Sequence, residues 1–270
     1  MEFLGVLGEK LPHTYSPIIN KRIMELIGVE GAYKKFELPK GNMEKFIDGI
    51  KLLDIRGFNV TIPYKEEVMS YLDYVSDEAE SIGAVNTVLN KHGKLYGYNT
   101  DYFGFHSTLE IANIDVKDKI AVILGSGGAS KALREVLLNS GAKEVYIVSR
   151  KPNESSEKSR DERVKLINYE ELEEISGYLL VNSTPIGMYP NIEKSPVREE
   201  IISKYEAVVD IVYNPTETEI LKIAKKLGKV YVGGLYMLVG QAVKAEEIFH
   251  GIEIDKEVIN IIYNELKKEF

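Results

Sequence analysis

Five short stretches of this sequence hold residue types able to do chemistry. Gly57-Phe58-Asn59-Val60-Thr61-Ile62-Pro63-Tyr64-Lys65 ends an apolar run on a hydroxyl, Thr61, and an amine, Lys65. Gly83-Ala84-Val85-Asn86-Thr87 puts an amide at the entrance to a second apolar run, and Gly97-Tyr98-Asn99-Thr100-Asp101 puts a carboxylate where strand-like sequence gives way to helical sequence. Ile120-Ala121-Val122-Ile123-Leu124 runs directly into Gly125-Ser126-Gly127-Gly128-Ala129-Ser130, and Glu144-Val145-Tyr146-Ile147-Val148 ends on Ser149-Arg150-Lys151.

The glycine cluster is the most specific of these because of its setting. A buried strand, a glycine-rich turn and a helix in that order form a dinucleotide-binding fingerprint. Gly125 permits the tight turn, Gly127 lets backbone approach a pyrophosphate, and Ala129 is small enough for helix–strand contact. The free N–H groups at the helix start suit phosphate. A strand later, an NAD site commonly carries an acid for the ribose 2′-hydroxyl. This chain carries Ser149, Arg150 and Lys151 there, and a guanidinium can grip a 2′-phosphate in a planar fork. NADP is therefore expected over NAD.

A nicotinamide cofactor implies hydride transfer, and a ketone that accepts hydride needs a proton at its oxygen. A lysine with a nearby carboxylate can supply that proton and stabilise the developing charge. Taken singly, the polar residues allow duller readings: Asp101 as a helix N-cap, Asn86 as a turn residue, Lys65 as a surface lysine.

The elements that must position these groups follow from periodicity. Strands are expected at residues 3–7, 33–38, 57–62, 119–124, 145–148, 164–167, 179–181, 208–212 and 230–232. A strand pair at 85–89 and 95–98 turns at His92-Gly93. Helices are expected from Ser16, as N-cap with Pro17 in the first turn, to Gly28, and over 42–53, 101–113, 129–139, 217–227, 235–250 and 255–268. Alternation of this kind specifies an α/β protein with largely parallel sheets. The charged, serine-rich patch 151–163 reads as a solvated loop.

Composition removes several function classes. The chain has 270 residues, 34 Lys+Arg against 42 Asp+Glu, and a net charge of −8, which disfavours general nucleic-acid binding. It has no cysteine, so disulfides, thiolate metal sites and cysteine nucleophiles are excluded. Its four histidines are scattered, and no metal site is expected. No apolar run is long enough for a membrane span, and the opening residues do not suit a signal peptide, so a cytoplasmic protein is expected.

Across its whole length the chain resembles the shikimate dehydrogenase family. The motifs that carry the resemblance are Pro12-His13-Thr14-Tyr15-Ser16-Pro17, Asn59-Val60-Thr61-Ile62-Pro63-Tyr64-Lys65, Gly83-Ala84-Val85-Asn86-Thr87 and Asn99-Thr100-Asp101. They continue in the glycine loop, Asn182-Ser183-Thr184-Pro185-Ile186-Gly187-Met188, Asp210-Ile211-Val212-Tyr213-Asn214-Pro215 and Gly234-Leu235-Tyr236-Met237-Leu238-Val239-Gly240-Gln241. The resemblance implies NADPH-dependent, reversible reduction of 3-dehydroshikimate to shikimate, a step toward aromatic amino acids.

By the same resemblance Lys65 and Asp101 are the catalytic pair. Thr14 and Ser16, helped by Tyr213, hold the substrate carboxylate. Thr61, Asn86 and Gln241 hold ring hydroxyls or the reacting oxygen. Gly125, Ser126, Gly127, Gly128, Ala129, Ser149, Arg150, Lys151, Thr184, Ile211 and Gly234 line the cofactor, with Asp77 as a further cofactor-side residue. The resemblance also implies a substrate-binding α/β domain over 1–101, a Rossmann-like NADP domain over 102–234, and helices over 235–270 that return to the first domain, with substrate in the cleft.

The chain departs from the family pattern in three places. Thr14 stands where serine is usual, Ile19 where histidine is usual, and Ser149 where asparagine is usual. The first leaves a quinate/shikimate dehydrogenase as the nearest alternative. A non-catalytic NADP-binding module is the other, and the retained Lys65 and Asp101 argue against it. A small-molecule substrate is the expected partner, and the sequence leaves monomer and homodimer both open.

Overall fold

The computed structural model describes residues 1–12, 14–152 and 161–269, so His13 and most of the charged patch lie outside the described residues. The chain is α/β and divides into two compact units. The first comprises Met1–Phe103 and Val239–Asn264, and the second Gly104–Leu238 with Glu265–Phe270.

The first unit is built on a six-stranded sheet of β1 (Glu2–Gly8), β2 (Gly31–Glu37), β3 (Gly57–Val60), β4 (Tyr74–Val75), β5 (Thr87–Lys91) and β6 (Lys94–Tyr98) in the order β2-β1-β3-β5-β6-β4. β1 is parallel to both β2 and β3, while β3–β5 and β5–β6 are antiparallel. The β5–β6 turn falls on His92 and Gly93, whose φ values of 54° and 78° suit a two-residue hairpin turn. Helices α1 (Ser16–Leu26), α2 (Met43–Leu52), α3 (Asp77–Ile82) and α4 (Thr100–Ile111) follow the strands in turn. α2 buries Met43, Ile47 and Ile50, one stripe at helical spacing, in a core that includes Phe58, Val60 and Val88. Phe58 is fully buried and meets Phe46 edge-on at 5.1 Å. A side chain of that kind contributes about 1.5–3 kcal/mol when buried.

The second unit holds β7 (Ile120–Leu124), β8 (Glu144–Val148), β9 (Val164–Ile167), β10 (Leu179–Asn182), β11 (Ala207–Asp210) and β12 (Val230–Gly233), all parallel, in the order β12-β11-β10-β7-β8-β9. This is the doubly wound order, which reverses direction between β7 and β10, where such sheets bind ligands. β10 and β11 are buried at every residue, as strands covered on both faces must be. α5 (Gly128–Asn139), α6 (Glu199–Ile202) and α7 (Glu219–Lys226) connect the strands, and α8 (Leu235–His250) and α9 (Glu257–Leu266) end the chain.

Boundaries differ from expectation in instructive ways. Ser16 is not the N-cap of α1: Tyr15 is, and its carbonyl accepts the N–H groups of Ile18 and Ile19 at 3.0 Å. β3 stops at Val60, because Thr61 N–H still reaches Leu7 O but the Thr61 carbonyl already turns back to Tyr64 N–H. β5 starts at Thr87, because Val85 N–H is spent on the Lys65 carbonyl. Five short elements among the described residues were not expected: β4, α3, α6 and 3₁₀ turns at Glu67–Tyr71 and Glu171–Glu174.

Candidate active site

In the first unit the expected catalytic pair is formed. Lys65 Nζ lies 2.6 Å from Asp101 Oδ2. The two side chains are 24% and 19% exposed, shielded enough to strengthen the pair yet still open to a ligand. Two local features hold them. The Lys65 carbonyl accepts Val85 N–H at 2.8 Å, pinning the loop after β3 to the approach to β5. Asp101 sits in the first turn of α4, where the helix dipole favours an anion. The duller readings therefore give way: Asp101 lies inside the helix and pairs with an amine, and Lys65 is not a free surface lysine.

Asn86 is also more than a turn residue. It is 4% exposed, and its backbone is held on both sides, by Val60 N–H at 2.8 Å and the Tyr98 carbonyl at 3.0 Å. Its Oδ1 accepts Thr100 N–H at 2.7 Å, so the side chain of Asn86 caps α4 from a different element. A backbone N–H can only donate, and this fixes the orientation of the amide, leaving Nδ2 as its donor. Thr100 Oγ1 lies 3.4 Å from Oε1 of Gln241 on α8.

The Thr14 and Ser16 hydroxyls are 3.0 Å apart, and Ser16 N–H donates to Thr14 Oγ1 at 3.2 Å. They stand at the start of the 11-residue α1, whose N-terminal N–H groups suit a carboxylate. Tyr33 interacts with the Ser16 side chain, and its hydroxyl is pushed well above its usual range by burial and then by Glu246. Ile19 is a buried core residue of α1. Thr61 follows β3 directly, and among the described residues its side chain bonds to none of the other candidates. Asp77 is the exposed first residue of α3.

The second unit assembles the cofactor-side residues. Gly125 follows β7 with φ +103°, and its N–H donates to Val148 O at 2.8 Å. A Cβ on Gly125 would meet Ser183 Oγ and Thr184 Cγ2 at 3.0 Å, whereas one on Gly127 or Gly128 would meet nothing within 4 Å. The loop thus leaves open space above the N-terminus of α5, a cradle of the kind a pyrophosphate fills. Ser126 Oγ donates to Ser149 Oγ at 3.2 Å, joining the tips of β7 and β8. Arg150 and Lys151 are exposed beside them, and no acid occupies the β8 tip. Ala129 is in the first turn of α5.

Thr184, Ile211 and Gly234 are ordered by two residues for which the motifs imply no role, Asn182 and Asp210. Asn182 Oδ1 accepts Thr184 N–H at 3.0 Å and its hydroxyl at 2.7 Å, and the Asn182 carbonyl accepts Ile211 N–H at 3.0 Å. Asp210 is fully buried and accepts from Asn182 Nδ2, Val212 N–H and Thr218 Oγ1. Burial raises its pKa to about 6 against the pull of those three donors. Gly234 N–H donates to Val212 O at 3.1 Å, and Gly234 packs on the Ile211 backbone so closely that any side chain would collide. Tyr213 lies on the segment after β11 and belongs to the second unit, while the other substrate-side candidates belong to the first. The adjacent strand ends that make Asn182 and Asp210 partners are distant in sequence, and only their polarity at the end of apolar runs signalled them.

Among the described residues no cluster of three acidic or histidine side chains could hold a metal ion, and no helix is long and apolar enough to cross a membrane. What the two sites can do is bind a dinucleotide and exchange a proton with an oxygen of a small polar molecule.

Comparison with known proteins agrees. A sequence model of the shikimate dehydrogenase substrate binding domain matches residues 6–88. The shikimate dehydrogenase (NADP(+)) of Clostridium beijerinckii is 50% identical over 270 residues, covering 100% of both chains. A crystal structure of shikimate dehydrogenase 1 from Peptoclostridium difficile superposes with a TM-score of 0.90 at 50% identity, covering 100% of this chain and 99% of that one. The Thermus thermophilus shikimate 5-dehydrogenase, solved in complex with NADP(H) and shikimate, superposes with a TM-score of 0.87 at 33% identity, covering 98% and 99%. On likeness of this extent in both sequence and structure, the chain belongs to the shikimate dehydrogenase family.

Proposed function

We propose that this chain catalyses the NADP-dependent, reversible reduction of 3-dehydroshikimate to shikimate, with Lys65 and Asp101 as the catalytic pair. The observation that carries the reading is the 2.6 Å contact between Lys65 Nζ and Asp101 Oδ2 in a partly shielded position.

When bound, NADPH supplies the hydride. The cradle over Gly125, Ser126, Gly127, Gly128 and Ala129 would hold its pyrophosphate. Ser149, Arg150 and Lys151 would hold the adenosine end with its 2′-phosphate, and Thr184, Ile211 and Gly234 would line the rest. The residues fit the group: open space lies where a Cβ would stand on Gly127 and Gly128, and cations replace an acid at the β8 tip.

The chain's own residues handle the proton. As the ketone carbon gains hydride, its oxygen gains negative charge, and the Lys65 ammonium stabilises that charge and donates the proton. Asp101 keeps the ammonium in place with Oδ2 and offers Oδ1 to a substrate hydroxyl. Asn86 presents Nδ2 to a ring oxygen, Thr61 and Gln241 complete the polar wall, and Thr14 and Ser16 take the carboxylate. In the oxidation direction neutral Lys65 takes the proton back.

The division of labour we propose gives 1–101, with the helices over 235–270, to substrate and 102–234 to cofactor. The packing of Phe249 and Ala245 against Leu4 and Met24 supports the return of the last helices. The test is an NADP-reduction assay with shikimate and quinate side by side. Shikimate is expected to be the faster substrate and NADP the better cofactor, and faster turnover of quinate or of NAD overturns the corresponding half.

A further inference from the structure

We propose that Lys35 and Glu37 are positioning residues for this reaction: from one face of β2 they grip the backbone of Leu11 on both sides and so hold the loop that presents Thr14 and Ser16 to the substrate carboxylate. The inference rests on the reading of Thr14 and Ser16 as the carboxylate-holding pair.

β1 and β2 run in register as far as Gly8 and Glu37, and the Leu38 N–H closes the ladder on the Gly8 carbonyl at 2.9 Å. Beyond that rung the chain leaves the sheet and reaches α1 at Ser16 without a strand partner. Pro12 has no N–H to give. From Glu9 to Thr14, among the described residues, Leu11 is the one whose backbone N–H and carbonyl are both bonded, and both bonds are made by side chains of β2. Glu37 Oε1 accepts the Leu11 N–H at 2.7 Å, and Lys35 Nζ donates to the Leu11 carbonyl at 2.9 Å.

Residues two apart on a strand share a face. An amine and a carboxylate at that spacing offer Leu11 a donor and an acceptor, as the backbone of a neighbouring strand would. Each bond has one ionised partner and is of the stronger kind. Tyr33, the preceding residue on that face, interacts with the Ser16 side chain. The Leu11 side chain completes the anchor. It is buried and lies over Gly8, where a Cβ would stand 2.6 Å from Leu11 Cδ2 and 2.9 Å from Thr61 Cγ2. Thr14 follows within a turn's length of chain, its hydroxyl 3.0 Å from that of Ser16. A loop fixed before the substrate arrives spares binding the cost of ordering it.

The experiment measures steady-state shikimate oxidation with NADP for Lys35→Met, Glu37→Ala and Glu37→Gln, each checked for a cooperative thermal transition. Lys35→Met keeps the stem and removes the donor. Glu37→Ala removes the acceptor, whereas Glu37→Gln keeps a carbonyl acceptor and loses only the charge. Lys35→Met and Glu37→Ala are each expected to raise KM for shikimate by about three- to tenfold, the worth of one hydrogen bond, with kcat and KM for NADP little changed. Glu37→Gln is expected to keep KM for shikimate close to the wild-type value.

The signs separate positioning from direct attraction between charges. Losing a cation weakens the pull on an anionic substrate and losing an acid strengthens it. Charge alone therefore moves KM in opposite directions at Lys35 and Glu37, and treats Glu37→Gln as it treats Glu37→Ala. An unchanged or lowered KM for shikimate in either Lys35→Met or Glu37→Ala, an equal rise in Glu37→Gln, or a loss confined to kcat or to NADP overturns the proposal. Should Lys35→Met or Glu37→Ala fail to fold, leucine at the same position replaces it with the same expected outcome. Wild-type enzyme inactive on shikimate would instead overturn the functional reading on which the proposal rests.

Discussion

Asn182 and Asp210 face each other at the same register on neighbouring parallel strands, and Asn182 Nδ2 donates to Asp210 Oδ1 at 2.9 Å. This one bond ties Thr184 on one strand end to Ile211 and Val212 on the next, because Asn182 also holds Thr184 and Asp210 also holds Val212 N–H and Thr218.

Asp210 makes this frame pH-dependent. Burial raises its pKa from 3.8 to about 6 in the folded protein. Between those values the folded state binds a proton that the unfolded state has lost. The favourable contribution is therefore complete below pH ~4 and is lost as pH rises through about 6, a change of about 3 kcal/mol. Asp210→Asn removes the titration and keeps one carbonyl acceptor. Denaturant unfolding across pH 4–8 should find the variant worse than wild type at acid pH and gaining on it toward neutrality. A stability difference that does not change with pH would refute this.

His250 bridges two carboxylates. One ring nitrogen is 2.7 Å from Glu246 Oε2, the other 2.9 Å from Glu2 Oε2, and Glu246 is fully buried. Burial already raises the Glu246 pKa, and His250 opposes that rise. His250→Leu leaves an uncompensated buried acid, which typically costs about 3–5 kcal/mol. The deficit should shrink as pH falls, since Glu246 then takes up a proton. The double variant His250→Leu with Glu246→Leu should be more stable than His250→Leu alone, and equal stabilities would show that the pair contributes nothing specific.

What could be read from sequence follows the range of the interactions. The β7–Gly125–α5 unit is local, with strand, turn and helix contiguous, and it was legible down to the glycine at φ +103°. Lys65 and Asp101 lie 36 residues apart, and their pairing came from family resemblance; the residues alone left a surface lysine and an N-cap as open readings. Asn182 and Asp210 became partners only through the β10–β11 pairing, and Thr87 and Thr100 only through the meeting of β5 with α4. β4 is two residues long and α3 six, too short for a hydrophobic period to register.

Arg150 is the residue we propose to select NADP over NAD. It follows β8, is exposed, and stands beside Ser149, whose hydroxyl accepts from Ser126 of the glycine loop. Arg150→Ala should weaken NADP by roughly 10- to 150-fold, the usual range for one charge-assisted contact to phosphate, and leave NAD almost unchanged. Titration of each cofactor, followed by fluorescence or calorimetry, measures both affinities. Equal weakening of the two would assign Arg150 to packing and not to the 2′-phosphate.

In the function we propose, Lys65 carries the chemical step. Its amine is held by Asp101 Oδ2 at 2.6 Å and by a loop fixed through the Val85 N–H bond to its own carbonyl. Methionine has nearly the same length and reach but no proton to give, so Lys65→Met removes the donor while sparing the shape. A positioned acid or base is worth about 10²–10⁴-fold, or about 3–5.5 kcal/mol of barrier. The loss should fall on kcat, with KM for shikimate raised only modestly, because the amine matters most once charge develops on the oxygen. Asp101→Asn should lower kcat and raise KM together, since in the proposed mechanism that carboxylate both holds the ammonium and accepts a substrate hydroxyl. Near-normal kcat in a folded Lys65→Met enzyme would mean that the proton comes from elsewhere, with a water held by Thr61 or Asn86 the next donor to test.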